Sequence, residues 1–429
     1  MDINKLYEIF KKHPQVTTDT RKIVEGAIFF ALKGANFNGN QYAQKALDMG
    51  CSYAVIDEKE YAVDERMLLV DDVLKALQDL ANYHRNQLTT PIIAITGTNG
   101  KTTTKELVAS VLGQQYNVLY TEGNLNNHIG VPLTLLRLNR KHDIAVVEMG
   151  ANHISEIHEL ALIAEPNYGI ITNIGQAHLE GFGSVENILK AKGELYEYIR
   201  KRNNGLIFID YDNEKLRSIS ENITCVYYGL EEDLFVSGQI LECNPYLKFQ
   251  WKFVDSHYIV QTKLIGNYNL PNALAAIAVG RYFGVKAEYI TNAIENYEPN
   301  NNRSQLKQTN SNMLIVDAYN ANPTSMQAAL DNFSHMNVKN KSLIIGEMKE
   351  LGMNSEIEHQ KVVDYIAQHN FSNVFLVGEN FGKVDRYHYP YYESSSSLKD
   401  YLTEHPLKDQ YILIKGSRGV HLEDCIDIL

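Results

Sequence analysis

Residues 91–104, PIIAITGTNGKTTT, constrain this chain more than any other stretch. An apolar strand runs into two glycines, a lysine and a run of hydroxyls at the start of a helix. That is the layout of a phosphate cradle. Gly97 and Gly100, with Thr98 and Asn99 between them, let backbone N–H groups turn inward, and the helix N-terminus adds its unsatisfied donors. Lys101 supplies a compact cation, and Thr102, followed by Thr103, can ligate Mg²⁺. The spacing is shorter than GxxxxGK[ST], because position 95 is Ile95 rather than glycine. A glycine-rich turn with a solvated lysine would use the same letters. Here the strand before, the helix after and the hydroxyls agree, so the expected ligand is a nucleoside triphosphate.

At roughly 150 residues per domain, 429 residues divide into about three units. With 44% hydrophobic residues, 21% charged residues and ten prolines, each unit can bury a core of its own. Residues 1–88 mix buried strands at 27–32 and 53–56 with a helix over 73–85. After the polar break at 86–90 comes repeated strand then helix: PIIAIT, DIAVVEM, GIITNI, a helix over 185–199, and GLIFID. That alternation predicts a parallel sheet covered by helices. Alternating segments between 235 and 264 predict antiparallel strands, followed by a helix over 271–283. A second series, MLIVDAY, SLIIGEM, NVFLVG and YILIKGS, starts near 305, with helices from 324, over 356–368 and after the last strand. The fold class is α/β in three domains, 1–88, 89–298 and 299–429, the second boundary falling in EPNNNR. The serine run 394–397 is expected to be a loop.

A net charge of −12 argues against a broad nucleic-acid or anionic-membrane surface, since such partners are held by phosphate neutralisation. The N-terminus has no apolar leader and no segment approaches membrane-spanning length, so a cytoplasmic location is expected. Cys51, Cys225, Cys243 and Cys425 show no CxxC spacing and are expected to be reduced thiols.

A phosphate loop needs a cation site, and an acidic residue at a strand end is the usual supplier. Glu148 closes DIAVVEM beside Gly150, although a carboxylate there could equally cap the sheet edge. Asn173 and His178 follow the next strand in a glycine-rich loop, where α/β proteins place their sites. Lys192 and Glu194, taken alone, would read as a solvated helix face. His153 and His158 are five apart and no HExxH occurs, so zinc hydrolysis has no support. In the last unit Asp317, Tyr319, Asn320 and Asn322 follow a buried strand, a cluster suited either to a ligand in the sheet crevice or to a turn built by Asn and Pro. The string KGSRG, 415–419, offers two cations and a hydroxyl to an anion, or simply a basic helix start.

Taken together these residues resemble the Mur ligase family, ATP-dependent amide-forming enzymes of bacterial cell-wall synthesis. The strings are TEGNLNNHIGVPLTLL (121–136), EMGANHISEI (148–157), AHLEGFGS (177–184), DAYNANPTSM (317–326), GEMKELG (346–352) and KGSR (415–418). They are most similar to the branch that joins D-alanyl-D-alanine to UDP-N-acetylmuramoyl-tripeptide. The resemblance implies a UDP-sugar-binding first domain, a central P-loop ATPase-type parallel sheet and a Rossmann-like C-terminal domain, closing around the substrates of a monomer. It also implies an acyl-phosphate intermediate. Lys101, Thr102 and the loop glycines would hold ATP phosphates, and Glu148 and His178 two Mg²⁺ ions. Lys192, in AKGE, matches a carbamylated lysine. Asn269 and Asn272 match the adenine side, Arg303 an inter-domain arginine, and Asp317 and Asn320 further contacts to ATP. Thr20, Arg21, Asn124, Asn126 and Asn127 match positions that hold the UDP-muramoyl part. Tyr268 departs from the family pattern, which has histidine there, and KGSR continues as GVHLE. A single-amino-acid ligase shares this chemistry, but YNANPTSM speaks against it. A P-loop kinase or nucleotide-binding protein would leave the C-terminal strings unexplained.

Overall fold

The computed structural model describes residues 1–300 and 302–429. Three main sheets follow one another along the chain. The first has four parallel strands in the order Val16–Thr17, Ile28–Phe30, Tyr53–Ile56, Met67–Leu69. AIFFAL is apolar throughout because both faces of its strand are covered. Ile28, Phe30 and Val55 pack with Leu6, Phe10 and Leu77, whereas Phe29, Ala54 and Ile56 pack with Ala43 and Leu47. The helix Val73–Asn86 begins at Asp72, whose side chain accepts from the Lys75 amide at 2.8 Å. Its apolar side rests against the helices Gly130–Leu135 and Glu156–Ala164. Buried Arg85 donates from Nε to the Ala164 carbonyl at 3.1 Å, which satisfies an end group of the second of these helices.

The second sheet has nine strands. Ile92–Thr96 lies between Ile144–Glu148 and Tyr168–Ile171, all parallel. On one side the chain goes first to the edge strand Val118–Tyr120 and then returns to insert Ile144–Glu148 between it and Ile92–Thr96. It then crosses to the other side for Tyr168–Ile171, Leu206–Asp210 and Thr224–Gly229. A crevice therefore opens at the carboxyl end of Ile92–Thr96, where the strand order reverses. Val236–Cys243, Tyr246–Phe253 and Ser256–Ile265 extend the sheet as an antiparallel ribbon, as the alternation predicts. The helix Leu270–Tyr282, buried on nearly every side, packs against the loop helix Lys101–Leu112.

The third sheet runs Gln305–Gln308, Met313–Asp317, Tyr411–Lys415, Lys341–Gly346, Asn373–Val377, Tyr391–Tyr392, parallel except at its first strand. Leu343, Ile345 and Leu413 face Met326, Leu330 and Val363, while Ile344, Ile412 and Ile414 face Leu398, Leu402 and Leu422. Both faces are covered, giving the Rossmann-like layout that the resemblance implies. Two local expectations are corrected. The serine run is no loop: Ser394 caps the helix Ser395–Glu404, its hydroxyl and that of Ser397 each meeting the other's backbone amide. After the last strand the chain forms two 3₁₀ segments, Arg418–Val420 and Leu422–Ile428, instead of an α-helix. All four cysteines are free thiols, and among the described residues no helix is long and apolar enough to cross a membrane.

Candidate active site

The loop after Ile92–Thr96 is stitched to the neighbouring strand's loop. The Thr98 amide donates to the Asn173 carbonyl at 3.0 Å and the Asn99 amide to Asn173 Oδ1 at 2.9 Å. Thr172 Oγ1 and Asn173 Nδ2 donate back to the Asn99 carbonyl at 2.6 and 3.1 Å. Both glycines are required. A Cβ on Gly97, whose φ is +139°, would lie 2.0 Å from Thr172 Oγ1, and one on Gly100, φ +76°, would lie 2.6 Å from Asn272 Oδ1. Asn272 accepts from Thr104 Oγ1 at 3.1 Å and donates to Asn269 Oδ1 at 3.0 Å, so the helix Leu270–Tyr282 braces the loop from behind. Lys101 folds back, its Nζ donating to the Gly97 and Thr98 carbonyls at 2.8 and 2.9 Å. Burial pulls its pKa down to about 8, with Glu148 acting the other way and Arg303 reinforcing burial.

Glu148 is 1% exposed at the end of the adjacent strand. Its Oε1 accepts from Thr102 Oγ1 at 3.2 Å and from Asn126 Nδ2 at 2.8 Å, while Oε2 is buried with no hydrogen-bond partner. An unpartnered buried carboxylate oxygen beside a phosphate loop has the donor chemistry of a Mg²⁺ site. Among the described residues no three His, Cys, Asp or Glu side chains gather as a metal cage.

The opposite wall comes from the third sheet. Parallel register sets Asp317 beside Lys415, and their side chains pair at 2.6 Å, the lysine only 1% exposed. Arg303 lies 3.9 Å from the Tyr319 ring centre, its Nε buried without a partner, and Arg418 approaches the same ring at 5.6 Å. Tyr268 Oη meets Ser304 Oγ at 3.0 Å across the two units. Asn322 caps the helix Pro323–His335 and donates to Asn99 Oδ1 at 2.8 Å. Asn320 Oδ1 accepts from the Ala321 amide at 2.9 Å. The walls enclose a cleft of about 560 Å³ that touches Thr98 to Thr103, Asn124, Asn126, Asn127, Glu148, His178, Asn269, Asn272, Arg303, Asp317 and Asn320.

Several expected residues are placed differently. Thr20 and Arg21 lie outside the cleft lining, and the Arg21 guanidinium pairs with Asp19 at 2.8 Å on a 3₁₀ turn. Asn126 spends its amide on Glu148. Asn127 Oδ1 accepts from the Ile129 and Gly130 amides at 3.1 and 2.9 Å, at the entry of the Gly130–Leu135 helix. Lys192 is 3% exposed, not on a solvated face; Nζ donates to the Ala151 carbonyl at 3.0 Å and lies 5.2 Å from the Phe182 ring centre. Burial, reinforced by the Lys101 charge, holds its pKa far below the usual lysine range. His178 bonds through Nδ1 to Glu350 of the third unit, and this bond holds the Glu350 carboxyl below its usual range. Glu350 lies within the GEMKELG string, but nothing in that string assigns it a partner, and only the docking of the two units brings it to His178.

A phosphate-type loop at the carboxyl edge of a parallel sheet, facing a Rossmann-like sheet across one cleft, defines a multi-unit α/β nucleotide-binding architecture. The chain belongs to the Mur ligase family. The family's middle domain matches residues 95–280, its glutamate ligase domain residues 302–418, and the domain described as Mur ligase family, catalytic domain, residues 14–85. The chain is 34% identical to the UDP-N-acetylmuramoyl-tripeptide–D-alanyl-D-alanine ligase of Bacillus subtilis, covering 96% of this chain and 92% of that protein. The enzyme of the same name from Escherichia coli is 34% identical, with 96% and 93% covered. The crystal structure of MurF from Acinetobacter baumannii aligns with a TM-score of 0.85 at 30% identity, covering 96% of this chain and 92% of that one.

Proposed function

We propose that this chain joins D-alanyl-D-alanine to UDP-N-acetylmuramoyl-tripeptide at the expense of ATP. The observation that carries the reading is the single cleft in which Lys101 and the unpartnered Glu148 oxygen face Arg303 and the Asp317–Lys415 pair. The domains would be 1–88 for the UDP-muramoyl substrate, 89–298 for ATP and 299–429 for completing the ligase site. The tripeptide carboxylate attacks the γ-phosphorus; a C–O–P linkage forms and ADP leaves. The dipeptide amine, having lost its ammonium proton, then attacks the acyl carbon. The tetrahedral adduct collapses to an amide and inorganic phosphate.

No covalent enzyme intermediate is required, and the residues supply position and charge. The loop amides and Lys101 would hold the β- and γ-phosphates. Arg303 would hold the nucleotide from the opposite wall, together with Asp317 and Asn320, while Asn269 and Asn272 lie on the adenine side. Glu148 and Thr102, with His178 and the carbamylated Lys192, would hold two Mg²⁺ ions, whose charge would offset that of the transferring phosphate. Lys192 fits carbamylation: burial favours its neutral amine, which adds to CO₂ with loss of a proton and leaves a carboxylate-like anion. The UDP part is assigned to Thr20, Arg21, Asn124, Asn126 and Asn127.

The test is phosphate release from ATP and UDP-N-acetylmuramoyl-tripeptide with and without D-alanyl-D-alanine, following the product by mass. The expected product is heavier than the tripeptide substrate by the dipeptide less water, and release requires both substrates. Release that depends on a single amino acid, or on neither amine, overturns the reading.

A further inference from the structure

The loop that carries His178 is gripped by the third unit at two places. Gln176 donates its amide to Thr324 Oγ1 at 2.9 Å, at the start of the helix Pro323–His335. Two residues beyond His178, the Glu180 amide donates to the Glu350 carbonyl at 3.1 Å, while the Glu350 carboxylate takes the histidine's Nδ1–H. His178 and Glu350 both hold left-handed backbone, φ +50° and +62°, a conformation non-glycine residues adopt only where surrounding contacts fix them. The partners are 172 residues apart. The pair is partly solvated, with the Glu350 side chain 53% exposed, so it contributes little to global stability and its consequence is local geometry. A carboxylate on one ring nitrogen of histidine fixes the tautomer and ring plane and leaves Nε2 as the nitrogen available to a ligand.

We propose that Glu350 is a positioning residue for His178, clasping side chain and loop backbone together so that the cleft is completed only while the third unit is docked. The inference rests on the functional reading above for the role of His178, but the clasp itself is testable without substrate. It makes the 175–183 loop a reporter of docking: the third unit, which holds the opposite wall, also sets the ring on the nucleotide side.

The experiment compares wild type, Glu350→Ala and Glu350→Gln in the full chain by amide hydrogen exchange without nucleotide, and by steady-state kinetics. In Glu350→Ala the Glu180 amide should exchange at least tenfold faster, while the strand Lys341–Gly346 keeps wild-type protection as a control for folding. Its kcat should fall at least tenfold with KM for ATP within threefold. Glu350→Gln keeps an acceptor for Nδ1–H and should restore both. Wild-type exchange at Glu180 in Glu350→Ala, or a Gln variant as impaired as Ala, overturns the clasp. Wild-type protein that forms no dipeptide adduct overturns the functional reading instead, and leaves the exchange result standing.

Discussion

Lys101 should make nucleotide affinity fall steeply in mildly alkaline solution. Burial brings its pKa from the usual 10.5 to about 8. In the unliganded protein about nine-tenths of Lys101 is therefore charged at pH 7 and about one-tenth at pH 9. Triphosphate oxygens beside Nζ favour the ammonium. Full recovery of the ordinary pKa is worth roughly 3 kcal/mol, or about 300-fold in affinity, between neutral and strongly alkaline pH. The sign follows from proton linkage. Binding takes up about 0.1 proton at pH 7 and close to one proton at about pH 9, so Kd rises up to about tenfold per unit above pH 8. Unliganded stability moves the other way. The lowered pKa costs stability below about pH 8, and that cost is relieved as pH climbs toward 10.5. Titration calorimetry of a non-hydrolysable ATP analogue, in two buffers of different ionisation enthalpy at constant ionic strength, measures both affinity and uptake. The terminal phosphate, titrating near about 6, is already ionised in this range. Lys101→Arg keeps a charge that does not titrate there and should flatten the slope. Uptake below about 0.2 proton near pH 9, or an unchanged slope in Lys101→Arg, would refute the assignment of Lys101 to phosphate.

Three further outcomes are expected. Gly97→Ala forces a Cβ to 2.0 Å from Thr172 Oγ1 in left-handed backbone; strain of about 1–3 kcal/mol should weaken nucleotide binding at least about tenfold, and an unchanged Kd would show that the loop does not need this close approach. Asp317→Asn leaves the Lys415 ammonium, 1% exposed, without its counter-charge, and should cost about 3–5 kcal/mol. Lys415→Met leaves a carboxylate that water and the Ser304 amide still reach, so it should cost roughly 1–2 kcal/mol, and equal losses in thermal unfolding would contradict the asymmetry. Lys192→Ala should lose ligation and regain part of it with small added carboxylates; if added acids never help and intact-mass analysis finds an unmodified lysine in active enzyme, the carbamate is excluded.

Much of the fold was legible because its signals are local. Residues 92–95 of PIIAIT and 144–147 of DIAVVEM are apolar at every position since their strands are covered on both faces, and the ribbon around 235–264 alternates since it belongs to an antiparallel extension. The serine run misled because Ser, a frequent turn residue, is also a preferred helix cap, and only the reciprocal Ser394–Ser397 bonds distinguish the two uses. The 3₁₀ ending after KGSR had a local signal in Gly416 and Gly419, residues that disfavour an α-helix interior.

What the sequence by itself determined is the phosphate loop, the strands that present it and the order of the α/β units, because backbone conformation and burial periodicity are set by neighbours along the chain. Which side chains meet was decided by tertiary structure. Parallel register puts Asp317 beside Lys415, 98 residues apart. Loop packing turns the Asn126 amide onto Glu148, and burial turns Lys192 from an exposed-looking helix residue into an enclosed amine. Docking of the third unit brings Glu350 to His178. These pairings depend on sheet order and on how whole units pack, and no energy local to either partner encodes them.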